Sequence, residues 1–104
     1  MSKVLASIAH QASAHPDMAA LIDHTGGVSY GMLWHRIETL AHGLTESGYQ
    51  RLGLVGDNSP SWVIADLAAW KAGVTLVPIP SFFSPEQCMH VARSAGLQGL
   101  IGEL

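Results

Sequence analysis

Charged residues are scarce in this sequence of 104 residues. Asp, Glu, Lys and Arg make up 12% of the chain, about half of the roughly 25% that is usual in soluble domains. Hydrophobic residues make up 48%. A small domain that stands alone has a large surface to keep hydrated. We therefore expect part of the surface to be covered, either by the remainder of a larger domain or by self-association through an apolar surface.

Basic residues are few as well, since five Lys and Arg stand against eight Asp and Glu, which gives a net charge of −3 with neutral histidines. The five are scattered over the whole length and form no basic patch. Binding to nucleic acid depends on clustered cations that neutralise phosphates. The charge pattern therefore predicts no nucleic-acid partner.

Cysteine occurs once, as Cys88, and long apolar runs are missing. A single cysteine excludes a disulfide within the chain and fits a reducing compartment. A membrane-spanning helix needs about 18 consecutive apolar residues, so no membrane span is expected. The N-terminal stretch is interrupted by His10 and Gln11 and lacks the cleavage site of a signal peptide. These features predict a cytoplasmic protein with one domain, or part of one, over residues 1–104.

Signatures of an active site are also missing. The chain has no Walker-type phosphate loop, no dinucleotide fingerprint and no nucleophile elbow. Its Cys and His residues lack zinc spacing, because His35 and His42 are seven positions apart, or roughly 10 Å along a helix. Cys88 falls on the apolar stripe of a helix and is most simply a core residue. We therefore predict no catalytic, cofactor-binding or metal-binding residue in this chain.

The stretch from Arg51 to Ile79 reads strand, helix, strand. An apolar run at 51–56 ends in glycine, a helical pattern follows at 61–71, and a second apolar run at 74–77 is closed by Pro78. Two short apolar strands joined by a helix form a βαβ unit. Such a unit predicts a parallel sheet with a right-handed crossover.

The turn between the first strand and the helix of this unit carries Asp57, Asn58 and Ser59. A helix N-terminus behind a strand can bind anions, but the Asp57 carboxylate would repel them. Asn58 or Ser59 is better explained as an N-cap. Within the helix, Asp66 is expected to make a polar contact at the helix edge. The turn therefore predicts helix capping in place of phosphate binding.

Caps and periodicity predict the elements on either side. Before the βαβ unit we predict a helix over 3–14 with Ser2 as N-cap, a hairpin of strands 19–23 and 28–30, and a helix over 31–47 that begins after Ser29 and ends at Gly48. After the unit we predict a helix that begins with the capping box Ser84 to Gln87 and ends at Gly96, and then a strand over 99–101.

Several stretches together resemble the opening of the acyl-adenylate-forming enzymes, which include AMP-binding acyl-CoA synthetases, luciferases and peptide-synthetase adenylation domains. The stretches are His15-Pro16-Asp17, Ala20-Leu21, Val28-Ser29-Tyr30-Gly31-Met32-Leu33, Val55 to Trp62, Trp70 to Ile79, and Ser84-Pro85-Glu86-Gln87 with His90. Met32 stands where the family's first core motif has Glu. Pro80 stands where amino-acid adenylation domains carry Asp, and with Phe82-Phe83 this favours an acyl or aryl carboxylate.

The resemblance implies an α/β fold, namely the N-terminal portion of an AMP-binding ligase large domain, with βαβ units, a partly parallel sheet flanked by helices, and an N-terminal hairpin. It implies a parent enzyme that uses ATP and Mg²⁺ to adenylate a carboxylate and passes the acyl group to a thiol such as CoA. The family's phosphate loop, adenine motif, ribose-binding Asp, hinge and catalytic Lys have no counterpart in this chain. The chain is therefore expected to be a scaffold segment. The alternatives are a free-standing interaction or oligomerisation module and a truncated product without a function of its own.

Overall fold

The computed structural model describes residues 2–23, 26–57 and 59–102. Within them the chain forms, in order, α1 (Ser2–Ala14), β1 (Ala19–Asp23), β2 (Gly26–Ser29), α2 (Tyr30–Ser47), β3 (Arg51–Val55), α3 (Pro60–Ala72), β4 (Thr75–Ile79), α4 (Pro85–Ala95) and β5 (Gly99–Gly102). This is the predicted α/β alternation. The turn residues His24 and Thr25 and the alternative N-cap Asn58 lie outside the described ranges.

The strands form two separate sheets. β1 and β2 pair antiparallel as the predicted hairpin. The other three strands are parallel and lie in the order β4-β3-β5, so β3 is central. The parallel pairing of β3 with β4 confirms the βαβ unit, while the handedness of its crossover stays a prediction.

The parallel sheet carries a different core on each face. Neighbouring residues of a strand point to opposite faces, and Leu100 and Ile101 of β5 pack into different clusters. The larger cluster joins α2 and α3 to the sheet, with Ile37 and Ala68 fully buried at its centre. The smaller cluster joins the sheet to α4 and has Val55, Ile79 and Cys88 as its buried residues. Helices therefore cover both faces, as a parallel sheet requires.

Gly53, at the middle of β3, allows the smaller core to close. A Cβ atom there would lie 2.6 Å from Leu100 Cδ2 and 2.8 Å from Ile79 Cδ1. Both distances are well below van der Waals contact, so the neighbouring side chains occupy the space that a larger residue would need. A glycine in a strand interior commonly marks such a close approach.

The predicted caps are confirmed at α2, α3 and α4. Ser29 and Ser59 accept hydrogen bonds from the backbone N–H three residues on. At α4, the Gln87 N–H donates to Ser84 Oγ at 3.1 Å and the Ser84 N–H donates to Gln87 Oε1 at 2.7 Å, which completes the capping box. The glycines after the three helices adopt the left-handed conformation that favours glycine.

Several element boundaries differ from prediction. α1 begins at Ser2, so Ser2 is the first helical residue and not the predicted N-cap. Tyr30 belongs to α2 and not to the hairpin, because Ser29 already caps the helix. Val74 precedes β4, since its N–H donates to Ala69 O at the end of α3 at 2.8 Å. Pro78 lies inside β4, which accommodates it as an edge strand.

Several large apolar side chains remain on the surface of the described residues. Ile22 and Phe82 are each 79% exposed, and Trp70, predicted on the apolar pattern of α3, is 56% exposed. No helix of the described ranges is long and apolar enough to cross a membrane.

Candidate functional site

A crevice of about 370 Å³ opens where β3 and β5 end and α3 begins. We call it the strand-end crevice. Its apolar lining is Leu40, Leu54, Val55, Trp62, Ala65 and Ile101, and its other lining residues are Gly56, Asp57, Ser59, Ser61, Ser81 and Gly102. The volume lies in the range of small-molecule sites, which start at about 300 Å³.

The position of this crevice follows from the topology of the sheet. The chain leaves β3 for β4 on one side and then crosses to β5 on the other side. Helix α3 belongs to the larger core and α4 to the smaller one, so the two connections lie on opposite faces. In open α/β sheets, ligands bind outside the carboxyl ends of the strands at such a switch point.

Two loops are connected at the mouth of the crevice. Ser81 Oγ donates a hydrogen bond to Asp57 Oδ1 at 2.7 Å. Ser59 Oγ is already used inside the fold, because it accepts from the Trp62 N–H at 3.2 Å as the N-cap of α3. The Ser59 hydroxyl, which was predicted as a cap, therefore uses one lone pair of its oxygen to accept this helix hydrogen bond, and that lone pair is not free to bind a ligand.

The electrostatics of the crevice do not suit phosphate. Asp57 is the charged residue among its described lining, and Lys and Arg are absent from that lining. The N-terminus of α3 favours negative charge, but the Asp57 carboxylate in the same lining would repel an anion. The lining also lacks a histidine that could activate its serine hydroxyls. The arrangement suits a neutral, largely apolar group, and its described lining lacks the cations that would stabilise negative charge on a phosphate during its transfer.

The residues considered for chemistry in the sequence lie apart from one another. Cys88 is buried, 4% exposed, in the smaller core, and His90 is exposed on α4. His35 and His42 are exposed on α2, and Asp66 is half-buried on α3. Across the described ranges, His, Cys, Asp and Glu side chains form no group of three that could hold a metal ion.

The crevice itself was not predicted. The sequence indicates that the turn after β3 is a place where anions can bind, but other walls of the crevice come from Ser81 and Ile101, which are distant in sequence. Prolines and apolar residues around Ser81 gave no indication that this loop would return to Asp57.

Comparison with known proteins identifies relatives of most of the chain. The sequence profile described as AMP-binding enzyme matches residues 8–103. The mitochondrial medium-chain acyl-CoA ligase ACSF2 of Mus musculus is 30% identical over 95 residues, which cover 86% of this chain and 15% of that ligase. N-(5-amino-5-carboxypentanoyl)-L-cysteinyl-D-valine synthase of Streptomyces clavuligerus is 31% identical over 91 residues, covering 83% of this chain and 11% of that synthase.

The fold is shared with solved structures. The crystal structure of IdnL7 superposes with a TM-score of 0.78 at 31% identity, and the match covers 93% of this chain and 20% of that one. The chain therefore spans a small part of the length of the proteins it matches. Because the family profile covers nearly every residue, the resemblance drawn from the motifs is confirmed, and this chain belongs to the AMP-binding enzyme family.

Proposed function

We propose that this chain is the N-terminal scaffold segment of an AMP-forming acyl-CoA synthetase-like ligase. The parent enzyme joins a carboxylate to the AMP portion of ATP with release of pyrophosphate, and it then transfers the acyl group from the adenylate to a thiol such as CoA with release of AMP. One observation carries the proposal. The family profile matches residues 8–103, yet the matched region is 15% of the mouse acyl-CoA ligase.

The charges of the described residues support a scaffold role. Adenylation builds negative charge on phosphate oxygens, which cations and a metal ion must stabilise. Among its described lining residues, the strand-end crevice offers the Asp57 carboxylate and no cation. Lys71 lies over the Trp34 ring, 5.4 Å from its centroid, near the other end of α3. Under this proposal, ATP, Mg²⁺ and CoA are held by residues that this chain does not supply, and the chain alone is not catalytic.

The exposed apolar side chains support the proposal that another part of the protein, or a second copy, covers this surface. Ile22 and Phe82 are each 79% exposed, and burial of such surfaces contributes about 25 cal/mol per Å². We propose that the remainder of the ligase domain covers them. The second candidate, favoured by the same observation, is a free-standing module that self-associates through this apolar surface.

The substrate proposal rests on the loop after β4. Pro80 occupies the place where amino-acid adenylation domains carry Asp, and Phe82 and Phe83 pack edge to face at 5.4 Å beside it. We propose that the parent enzyme activates an acyl or aryl carboxylate and acts in fatty acid metabolism. We further propose the cytoplasm as its compartment, which fractionation of source cells would test.

Pyrophosphate exchange and the size of the native product test the main proposal together. The purified chain is incubated with ATP, Mg²⁺, labelled pyrophosphate and a panel of fatty, aryl and amino acids. We expect no exchange above the background without enzyme, and exchange with any one carboxylate would overturn the scaffold role.

An antibody against the chain should detect a product several times larger than 11.0 kDa in source-cell extract. A band at 11 kDa would instead favour the free-standing module.

A further inference from the structure

We propose that His42 and Glu46, on the exposed face of α2, together bind one divalent transition-metal ion such as Zn²⁺ or Ni²⁺. The inference goes beyond the proposed function and does not depend on it, because neither side chain lines the strand-end crevice. It also revises the expectation that no residue of this chain binds a metal. That expectation compared His35 with His42, and it did not consider a histidine paired with a carboxylate.

The two side chains approach each other because they are one helical turn apart. Residues four positions apart lie on the same face of a helix, and this spacing places two ligands on one ion in helical zinc sites. His42 Nε2 lies 4.0 Å from Glu46 Oε1. Within the described ranges, this is the one contact of that length or shorter between a histidine or basic side chain and a carboxylate. The helix therefore already brings a nitrogen and an oxygen ligand together.

The separation of the two atoms fits a shared ion after a small movement. Two ligand atoms that each lie about 2.1 Å from a tetrahedral metal are about 3.4 Å apart. The pair would therefore close by about 0.6 Å from its present 4.0 Å. Packing does not oppose this movement, since 77% of the His42 side chain and 71% of the Glu46 side chain are exposed.

The charge at this end of α2 also favours a cation. The C-terminal end of a helix carries the negative end of the macrodipole. Glu46 lies in the last turn of α2, and that turn holds no basic residue. The carboxylate and the helix end therefore place negative potential at the same point, and a bound cation would compensate both.

Helix α4 contains the same two residue types at the same spacing in the opposite arrangement. Glu86 and His90 are four positions apart, but Glu86 lies in the first turn of α4. The macrodipole disfavours a cation at that end. The contact between His42 and Glu46 also has no counterpart at this second pair. The pair on α4 therefore provides an internal control, in which the spacing is present without the contact or the favourable potential.

The two ligand types indicate the class of metal. Imidazole suits zinc, copper and nickel, whereas carboxylate and water suit Mg²⁺ and Ca²⁺. One imidazole beside one carboxylate therefore favours a transition metal over Mg²⁺. Across the described ranges, no third His, Cys, Asp or Glu joins the pair. Structural zinc sites have four protein ligands and catalytic sites have three, so a site with two predicts an ion that exchanges readily with solvent.

Paramagnetic broadening by Ni²⁺ in two-dimensional NMR spectra of the purified, isotope-labelled chain tests the proposal. We expect amide signals around His42 and Glu46 to broaden first, and signals around Glu86 and His90 to need about tenfold more Ni²⁺. Added Zn²⁺ should displace Ni²⁺ and restore the signals, whereas the same concentration of Mg²⁺ should not. Equal broadening at both pairs, or earlier broadening around another histidine, would overturn the proposal.

Four variants distinguish the two ligands from other exposed groups. His42→Ala and Glu46→Gln should each weaken Ni²⁺ binding by about tenfold or more, since losing even a group that only supports a ligand costs about that much. His35→Ala removes an exposed histidine from the same helix and should leave binding unchanged. Glu46→His places a second imidazole at the same spacing and should bind Ni²⁺ at least as tightly as the unmodified chain.

The Glu46→Gln variant decides whether the site is a pair. Unchanged Ni²⁺ binding in this variant would reduce the site to a single histidine and overturn the proposal. The comparison of α2 with α4 in the unmodified chain decides the question if a variant fails to fold.

Discussion

The Ser81 hydroxyl donates a hydrogen bond to the Asp57 carboxylate at 2.7 Å, which ties the loop after β4 to the loop after β3. The two residues are 24 positions apart in the chain. Both residues line the strand-end crevice, and the bond engages the one carboxylate of the described lining. Because both side chains are exposed, this bond contributes more to the position of the loops than to stability.

We predict a small stability effect for Ser81→Ala. The variant loses one exposed hydrogen bond, and the free energy of unfolding should fall by about 0.5–1.5 kcal/mol at most. Exchange of backbone amides in the loop at 80–83 should become faster. Ser81→Thr keeps the hydroxyl and is expected to behave like the unmodified chain. Urea denaturation and hydrogen exchange provide the measurements, and faster loop exchange in both variants would contradict the role of this bond.

Gly53→Ala should strongly destabilise the fold. The added Cβ atom would meet Leu100 and Ile79 at less than 3 Å, and overpacking of a core costs about 1–3 kcal/mol. Gly43→Ala is the matched control, since a Cβ atom in that helix would meet nothing within 4 Å. It should stabilise the chain by about 0.8–1 kcal/mol through helix propensity. Denaturant titration of both variants gives the comparison, and a neutral Gly53→Ala would contradict the packing described for β3.

The capping box of α4 should be measurable by substitution. Ser84→Ala removes the acceptor for the Gln87 N–H, and loss of such a cap costs about 0.5–2 kcal/mol. Ser94→Ala, at an exposed position of the same helix, serves as the control and should change little. If thermal unfolding gave equal midpoints for the two variants, the cap would not stabilise α4.

Cys88 should behave as a core residue. Its side chain is 4% exposed, so a thiol reagent should react with the folded chain far more slowly than with the chain in urea. Cys88→Ser places a hydroxyl among apolar neighbours and should cost about 1–3 kcal/mol. Cys88→Ala removes the sulfur without adding a polar group and separates the loss of packing from the cost of burying a hydroxyl. Rapid labelling of the native chain would contradict the buried position.

The exposed aromatic at the loop after β4 should promote association of the isolated chain. Phe82→Ser removes a side chain that is 79% exposed, and we expect sedimentation to show less self-association at high concentration without loss of stability. Phe83→Ser is the contrast, because Phe83 packs against the smaller core. That variant should lower the unfolding midpoint. Unchanged association of Phe82→Ser would place the apolar contact elsewhere.

Local chemistry made much of the fold predictable. The side chains of Ser59 and Ser84 accept hydrogen bonds from backbone N–H groups that have no partner within the helix. A serine that precedes an apolar helical pattern therefore indicates where a helix starts. Gly73 and Gly96 adopt positive φ without steric cost and mark the ends. The boundaries that were missed, such as Val74, depend on a hydrogen bond to Ala69 that spacing alone does not show.

The sequence by itself determined the order of helices and strands, the caps of α2, α3 and α4, the parallel βαβ unit and, through the series of motifs, the family. These depend on interactions between residues close in the chain, which leave a periodic pattern. The tertiary structure alone decided the strand order β4-β3-β5, the two cores on opposite faces and the strand-end crevice. Contacts such as Ser81 with Asp57 and Gly53 with Leu100 join distant segments. They form only when the whole chain packs, so no local pattern encodes them.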